Sequence, residues 1–180
     1  MDIDNINKLA IEGQIEKNKD GTYYCKGDLT FHNCEKLASL PENLVVKGGL
    51  YIIGCHSLVS LPLGLRARRS IYIINCRTLT SIPDGLEVPI TLSIFNCDSL
   101  ASMPLGLSVG VSLYIQNCKN LKSIADDLKV KGKIKIKDCP SLKFIPCSVD
   151  IANNIETDVP IGKPLPKGYK SDFLKALENI

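Results

Sequence analysis

Six cysteines recur at intervals of 21 residues, and this spacing constrains the fold of the 180-residue chain more than any other feature. An even number of cysteines in a short secreted chain would indicate disulfide bonds. Equal spacing instead indicates a tandem repeat, in which every unit adds one layer to a shared core. The repeated cysteines are Cys34, Cys55, Cys76, Cys97, Cys118 and Cys139, whereas Cys25 and Cys147 lie outside this column.

Each 21-residue unit carries the same apolar pattern, L-x-I-x-N-C-x-x-L-x-S-L-P-x-G-L-x-V-x-x-x. Positions 1, 3, 6, 9, 12, 16 and 18 are apolar in all six units, which gives 42 apolar sites (seven times six). Positions 1 to 3 alternate apolar, variable and apolar, which predicts a β-strand. One unit cannot bury its own apolar edge, so we expect the units to stack as a solenoid with a parallel sheet. The units begin at Leu29, Leu50, Ile71, Leu92, Leu113 and Ile134.

The first half of this pattern resembles the leucine-rich-repeat signature, with Cys in its Asn/Cys position. The second half, in a 21-residue period, is similar to the short bacterial-type repeat of effectors that pathogens deliver into host cells, including the invasion-plasmid-antigen class of ubiquitin ligases. The resemblance covers residues 29–158 and implies an α/β-type horseshoe with the parallel sheet on its concave face. We expect short extended or 3₁₀ segments on the convex side. Only residues 159–180 follow, so we expect no ligase domain.

The repeat weakens at both ends, where we expect capping segments. Tyr23 and Cys25 fall in register with Leu44 and Val46, as half a unit before the first full one. Residues 2–18 and 171–180 carry apolar residues at near-helical spacing, which predicts a short cap helix at each end. The chain therefore divides into an N-terminal cap (1–28), six repeats with a terminal strand (29–158) and a C-terminal cap with a tail (159–180).

The cysteine column has two interpretations. Regularly spaced thiols could bind a metal or form a redox centre, or they could form a buried ladder that donates weakly to backbone carbonyls. Zinc needs four converging ligands and a straight column does not converge, so we expect the ladder, without metal or cofactor. Cys147 takes a variable position and is expected to be the exposed thiol. Asn, Gly or Asp precedes each column cysteine, which is typical of left-handed turns.

Positions 2 and 4 of each unit point away from the core, because side chains alternate along a strand. Exposed strand positions are usually polar, yet large apolar and aromatic residues cluster here, and Tyr is a common interface residue. We therefore expect a partner-binding strip formed by Tyr51, Ile53, Tyr72, Ile74, Phe95, Tyr114, Gln116, Lys135 and Lys137. Two alternatives stay open: β-propensity alone selects these residues, or the C-terminal tail covers them.

Basic residues are unevenly distributed along the chain. All four arginines lie between Arg66 and Arg77, and five lysines alternate from Lys129 to Lys137. These clusters favour docking of an acidic partner or a phosphate, or they form a solvated surface that opposes aggregation. The net charge is a mild +3, and the tyrosines and lysines lie at opposite ends of the strip, so nucleic-acid binding is not expected.

The sequence contains no recognisable catalytic constellation. His32 and His56 lie in different units, and the register implies no Ser-His-Asp or Cys-His pair. Neither a Gly-rich phosphate loop nor an H-E-x-x-H motif occurs. We expect no transmembrane helix and no Sec signal peptide, because the chain has no long apolar run and begins with an acidic segment. Buried free thiols fit a reducing compartment such as a cytoplasm.

Three functions fit these observations. The first is a monomeric, non-enzymatic protein-binding module; the resemblance implies an effector that reaches a host protein through a dedicated secretion system. The second is the substrate-recognition subunit of a separate enzyme, such as a ubiquitin ligase. The third is an inert repeat whose strip is covered by residues 159–180. The composition of the strip favours the first.

Overall fold

A computed structural model describes residues 3–8, 10–146, 149–151 and 154–162. In these residues the chain forms a solenoid of parallel β-strands with about six turns. The predicted solenoid is therefore confirmed. The helical content is much smaller than predicted, because α1 (Ile3–Asn7) is the one helix in the described part of the chain.

Each turn contributes one strand to an eight-stranded main sheet. Its strands, in spatial order, are β1 (Ala10–Glu12), β4 (Leu29–His32), β6 (Leu50–Ile53), β8 (Ile71–Ile74), β10 (Thr91–Phe95), β12 (Ser112–Gln116), β14 (Lys133–Lys137) and β17 (Asn154–Thr157). From β4 onwards neighbouring strands are parallel and keep a register of 21 residues, so that Ile73 pairs with Ile94 and Ile94 with Ile115. The strict repeat spacing therefore sets the strand register.

Shorter strands follow in the second part of each turn and form further small sheets. One contains β2 (Glu16–Lys17), β3 (Tyr23–Cys25), β5 (Leu44–Val46) and β7 (Arg66–Ala67), and another contains β9 (Glu87–Val88), β11 (Ser108–Val109), β13 (Lys129–Val130) and β16 (Asp150–Ile151). A last pair joins β15 (Ile145–Pro146) to β18 (Ile161–Gly162). The backbone here is extended, one of the two predicted forms, and the described residues contain no 3₁₀ turn.

The core fills the space inside the coils. Every predicted core site whose side chain the structure describes is buried. Of the 42 sites, the side chain of Ile151 alone lies outside the described part. Leu92, Ile94 and Leu100 in the middle of the stack are completely inaccessible to solvent. The strand after the sixth unit pairs Ile155 with Ile134, so the repeat register continues into the terminal strand as expected.

The turn that follows each of the strands β4, β6, β8, β10, β12 and β14 has a left-handed residue at its first position. The φ angles are 53° to 57° at Asn33, Asn75, Asn96, Asn117 and Asp138, and 67° at Gly54. Asn and Asp tolerate this conformation better than other residues that carry a side chain. At Gly54 any side chain would also collide with Asn33, because a Cβ atom there would lie 2.1 Å from the Asn33 side-chain oxygen. The turn interpretation of this row is confirmed.

The predicted N-terminal helix over residues 2–18 is wrong beyond Asn7. Residues Ala10–Glu12 instead form β1, which pairs antiparallel with β4, and β2 pairs antiparallel with β3. The first coil exposes an unpaired strand edge, and a strand can satisfy its backbone groups where a helix cannot. Of the apolar residues read as one helical face, Ile6 and Ile15 are buried, while Ala10 is only partly buried and lies in β1. The predicted C-terminal helix over 171–180 lies outside the described residues.

Candidate functional site

The outward side of the main sheet carries the predicted strip. In β6 and β8 the side chains alternate between buried and partly exposed, so Tyr51, Ile53, Tyr72 and Ile74 point away from the core. The strand register places Tyr51 beside Tyr72 and Ile53 beside Ile74. The next strand adds Phe95 beside Ile74. These five large side chains therefore form one continuous patch on three neighbouring strands, which we call the aromatic patch.

The two tyrosines of the aromatic patch stack face to face. Their ring centroids lie 5.1 Å apart and their planes differ by 4°. The ring of Tyr51 also lies close to the backbone of Gly49, where an added Cβ atom would come within 2.9 Å of the ring. Partial burial, followed by the nearby Asp28 carboxylate, raises the pKa of the Tyr51 hydroxyl. The stack holds both rings in place before any partner binds, which lowers the entropy cost of binding.

Ser93 interrupts the row of tyrosines. It occupies the position that pairs with Tyr72 on one side and Tyr114 on the other. Although it is in an outward position, Ser93 is buried, with 2% of its surface exposed, because its small side chain lies between two larger neighbours. Tyr114 and Gln116 are partly exposed beyond it, on β12. The sheet thus brings Tyr114 and Gln116 next to the aromatic patch but separates Tyr114 from the stacked pair.

The lysines at the end of the strip are held by an acidic residue that sequence reasoning missed. Glu156 lies on β17, opposite Lys135. Its carboxylate accepts contacts from Lys133 at 3.0 Å, Lys135 at 3.2 Å and Lys137 at 2.6 Å. Hydrogen bonds from Lys137, Lys133 and Lys135 lower the pKa of Glu156 to about 2. The repeat register could have identified this residue, because Glu156 falls at position 2 of the partial unit that begins at Ile155.

This Glu156 contact changes how the basic end of the strip can act. Three cations share one carboxylate, which is an excess of two positive charges among these four groups, and the carboxylates of Asp158 and Asp138 partly offset this excess at Lys137. The side chains of Lys133, Lys135 and Lys137 each remain about one quarter to two fifths exposed. Such a cluster can still attract an acidic group, but the lysines are oriented toward Glu156 rather than free in solvent.

All nine predicted site residues lie on the same side of one sheet.

The cysteine column forms a ladder of buried thiols, and none of the described cysteines forms a disulfide bond. Cys76 illustrates the geometry: its Sγ lies 3.5 Å from the carbonyl of Ile74 and 3.6 Å from that of Ile52 on the previous strand. Burial raises the pKa of Cys97 to about 11. In the described part of the chain no group of His, Cys, Asp and Glu side chains could hold a metal ion. The predicted ladder is confirmed, and Cys147 lies outside the described residues.

A shallow groove of about 780 Å³ runs along the left-handed turns of the later coils. Its walls include Asn96 and Asn117 from these turns, together with Asp98 and Lys119. Lys119 contacts Asp98 at 3.4 Å, and Asn96 donates a hydrogen bond to Asn75 at 2.7 Å. These two contacts link equivalent positions of neighbouring coils, as expected for structural turns.

Searches of protein-family models, curated proteins and solved structures found no match for this chain. No helix in the described part of the chain has the length and apolar character that crossing a membrane requires.

Proposed function

We propose that this chain is a non-enzymatic protein-binding module that uses the outward side of its main sheet. The aromatic patch carries the proposal. Five large side chains, Tyr51, Ile53, Tyr72, Ile74 and Phe95, are partly exposed on three adjacent strands, where polar residues are the usual choice. Aromatic residues are enriched in the centres of protein interfaces because they bury a large area at little cost in side-chain entropy.

We further propose that the solenoid is a leucine-rich-repeat horseshoe of the bacterial effector type. Support comes from the 21-residue period, the Asn-Cys pair at the turn and the Leu-Pro in the second half of the unit. On this proposal the outward side of the main sheet is concave, and the partner is a host protein. The excess positive charge around Glu156 would favour a partner with an acidic group at that end.

Affinity capture with mass spectrometry tests the proposed function. Wild type is compared with the variant Tyr51→Ser/Tyr72→Ser/Tyr114→Ser, in bacterial and in eukaryotic lysates. The matched control is Val59→Ser/Leu63→Ser/Leu105→Ser, which removes three exposed apolar side chains from other parts of the surface. Circular dichroism verifies that all three proteins are folded.

The proposal predicts a protein that wild type and the control retain and that the tyrosine variant loses. A partner that all three proteins retain would place the binding site elsewhere. Loss of the partner by the control as well would show that capture depends on general surface hydrophobicity. If the retained partner is an enzyme, the chain acts as a recognition subunit of that enzyme.

A further inference from the structure

A second surface lies at the corner where each short strand turns into the next main-sheet strand. Positions 17, 19 and 20 are all exposed in units 2 and 3, on either side of a buried position 18, and the other units add exposed residues at Lys47, Val111, Lys129 and Lys131. We call the exposed residues of this corner in units 1 to 5 the basic ridge. Its charged and apolar members are Lys47, Arg66, Arg68, Arg69, Glu87, Ile90, Val111, Lys129 and Lys131.

Positive charge is concentrated on the basic ridge. It holds six basic residues and one acidic residue, a net charge of +5, whereas the whole chain has a net charge of +3. None of these six cations takes part in an ion pair in the described part of the chain. Lys47 and Arg68 even occupy the same position in adjacent coils, where like charges repel each other. The described residues therefore supply no carboxylate ion pair to these cations, in contrast to the Lys137 cluster.

Two exposed apolar residues lie in the middle of the basic ridge. Ile90 is 38% exposed and Val111 is 49% exposed, and both occupy position 20 in neighbouring coils. The backbone holds them side by side, since the Val111 amide donates a hydrogen bond to the Ile90 carbonyl at 2.8 Å. Arg69 lies in the coil before Ile90, and its carbonyl accepts a hydrogen bond from the Ile90 amide at 3.2 Å. Lys131 lies in the coil after Val111.

The corner itself is rigid and closely packed. Gly110 precedes Val111, and an added Cβ atom at Gly110 would lie 1.9 Å from the carbonyl oxygen of Pro89. An added Cβ atom at Gly132 would likewise lie 2.3 Å from the carbonyl oxygen of Val111. The small residues let neighbouring coils approach, so the flanking side chains project from a fixed backbone. A fixed backbone reduces the entropy that binding would otherwise cost.

We infer that the basic ridge docks on the surface of an anionic phospholipid bilayer. Basic side chains near such a surface attract the headgroups, and an arginine can bind a phosphate through two parallel hydrogen bonds. Ile90 and Val111 are exposed at a turn between strands, where short apolar side chains can enter the boundary between headgroups and acyl chains. Single-stranded nucleic acid fits less well, because the ridge presents no aromatic ring on which bases could stack.

Vesicle flotation tests this inference on the full chain. Vesicles of phosphatidylcholine alone are compared with vesicles that contain about 30% phosphatidylserine, a composition that gives a strongly negative surface. Wild type is expected to float with the anionic vesicles and to remain unbound with the neutral ones. Added salt should weaken binding, because the contact begins with exposed charges.

Two variants and one control assign the binding to the basic ridge. Arg66→Gln/Arg68→Gln/Arg69→Gln is expected to bind anionic vesicles roughly 100-fold more weakly. Ile90→Ser/Val111→Ser keeps every charge and is expected to bind about tenfold more weakly, because it loses apolar contact with the bilayer. The control Lys36→Gln/Lys122→Gln/Lys143→Gln removes the same number of charges at exposed sites off the ridge, and it is expected to bind like wild type.

Several outcomes would overturn the inference. Wild type that ignores anionic vesicles would refute it directly. Equal losses in the arginine variant and the lysine control would show a general effect of net charge. Unchanged binding of Ile90→Ser/Val111→Ser would show that the ridge does not enter the bilayer. A single-stranded oligonucleotide that binds the ridge more tightly than the vesicles do would assign this surface to nucleic acid instead.

Discussion

Tyr51 and Tyr72 lie on adjacent parallel strands, 21 residues apart, with ring centroids separated by 5.1 Å and ring planes within 4° of parallel. Repetition of the same residue at the same position of consecutive units produces this stack, because the register is constant. Each ring of the stack restricts the movement of the other, so this part of the aromatic patch is arranged before a partner binds.

The stack should contribute to stability in a way that a double-mutant cycle can measure. Tyr51→Ala and Tyr72→Ala are expected to couple by about 0.5–1.5 kcal/mol in the free energy of unfolding, the range for aromatic pairs. Denaturant unfolding of wild type, both single variants and the double variant gives this value. Simple additivity of the two single effects would mean that the rings do not stack in solution.

The core should be most sensitive to truncation in the middle of the stack. Ile94→Ala and Leu100→Ala are each expected to lower the free energy of unfolding by about 2–5 kcal/mol, because both side chains are fully buried. Val59→Ala is the control, since its side chain is exposed. Thermal and denaturant unfolding provide the measurement. If Ile94→Ala unfolded like the Val59→Ala control, the 21-residue register would be incorrect.

Glu156 should make stability depend on pH in the acidic range. Its pKa is lowered from 4.5 to about 2 by the hydrogen bonds from the three lysines. A lowered folded-state pKa means that its stabilising effect is complete above about 4.5 and is lost as the pH falls toward 2. Unfolding midpoints of wild type and Glu156→Gln should therefore differ at neutral pH and converge near pH 2. A constant difference over this range would show that the lysine contacts are absent in solution.

The buried thiols should be unreactive while the protein is folded. All six column cysteines are buried, which keeps reagents away from them. Burial also raises the pKa of Cys34 and raises that of Cys97 to about 11, whereas a hydrogen bond with the neighbouring thiol lowers the pKa of Cys76 and of Cys139, so the protection of those two rests on burial alone. Iodoacetamide followed by peptide mass spectrometry should leave the six column cysteines unlabelled in the native protein. The same treatment in guanidinium is the control and should label all of them. Rapid native labelling of Cys97 would contradict a closed core.

Sequence reasoning identified the parts of this fold that depend on repetition. The apolar columns, the left-handed turns and the thiol ladder each recur six times, so a single pattern determines them. The N-terminal segment behaves differently because it precedes the repeat pattern and pairs antiparallel with the strands that the first coil leaves at its edge. The spacing of Ile3, Ile6 and Ile15 is typical of a helix, but most of the segment forms β1, which pairs with β4, and β2, which pairs with β3.

The candidate site was predictable in part for the same reason. Alternation along each strand gave the outward positions, but it did not reveal that Ser93 would be buried between larger neighbours. Glu156 was missed because it belongs to a partial unit after the last full repeat. The apolar centre of the basic ridge was missed because Ile90 and Val111 take a variable position, and their proximity depends on coil stacking.

The central claim is that the aromatic patch binds a protein partner, and the affinity of one variant tests it most directly. The partner obtained by capture is titrated calorimetrically against wild type, Tyr72→Ala and the control Leu63→Ala. Tyr72 lies at the centre of the patch, so its truncation should weaken binding by about 30-fold or more, as for an interface hot spot. The exposed Leu63 lies off the main sheet, and its truncation should leave the affinity unchanged. Equal affinity of wild type and Tyr72→Ala would contradict the claim.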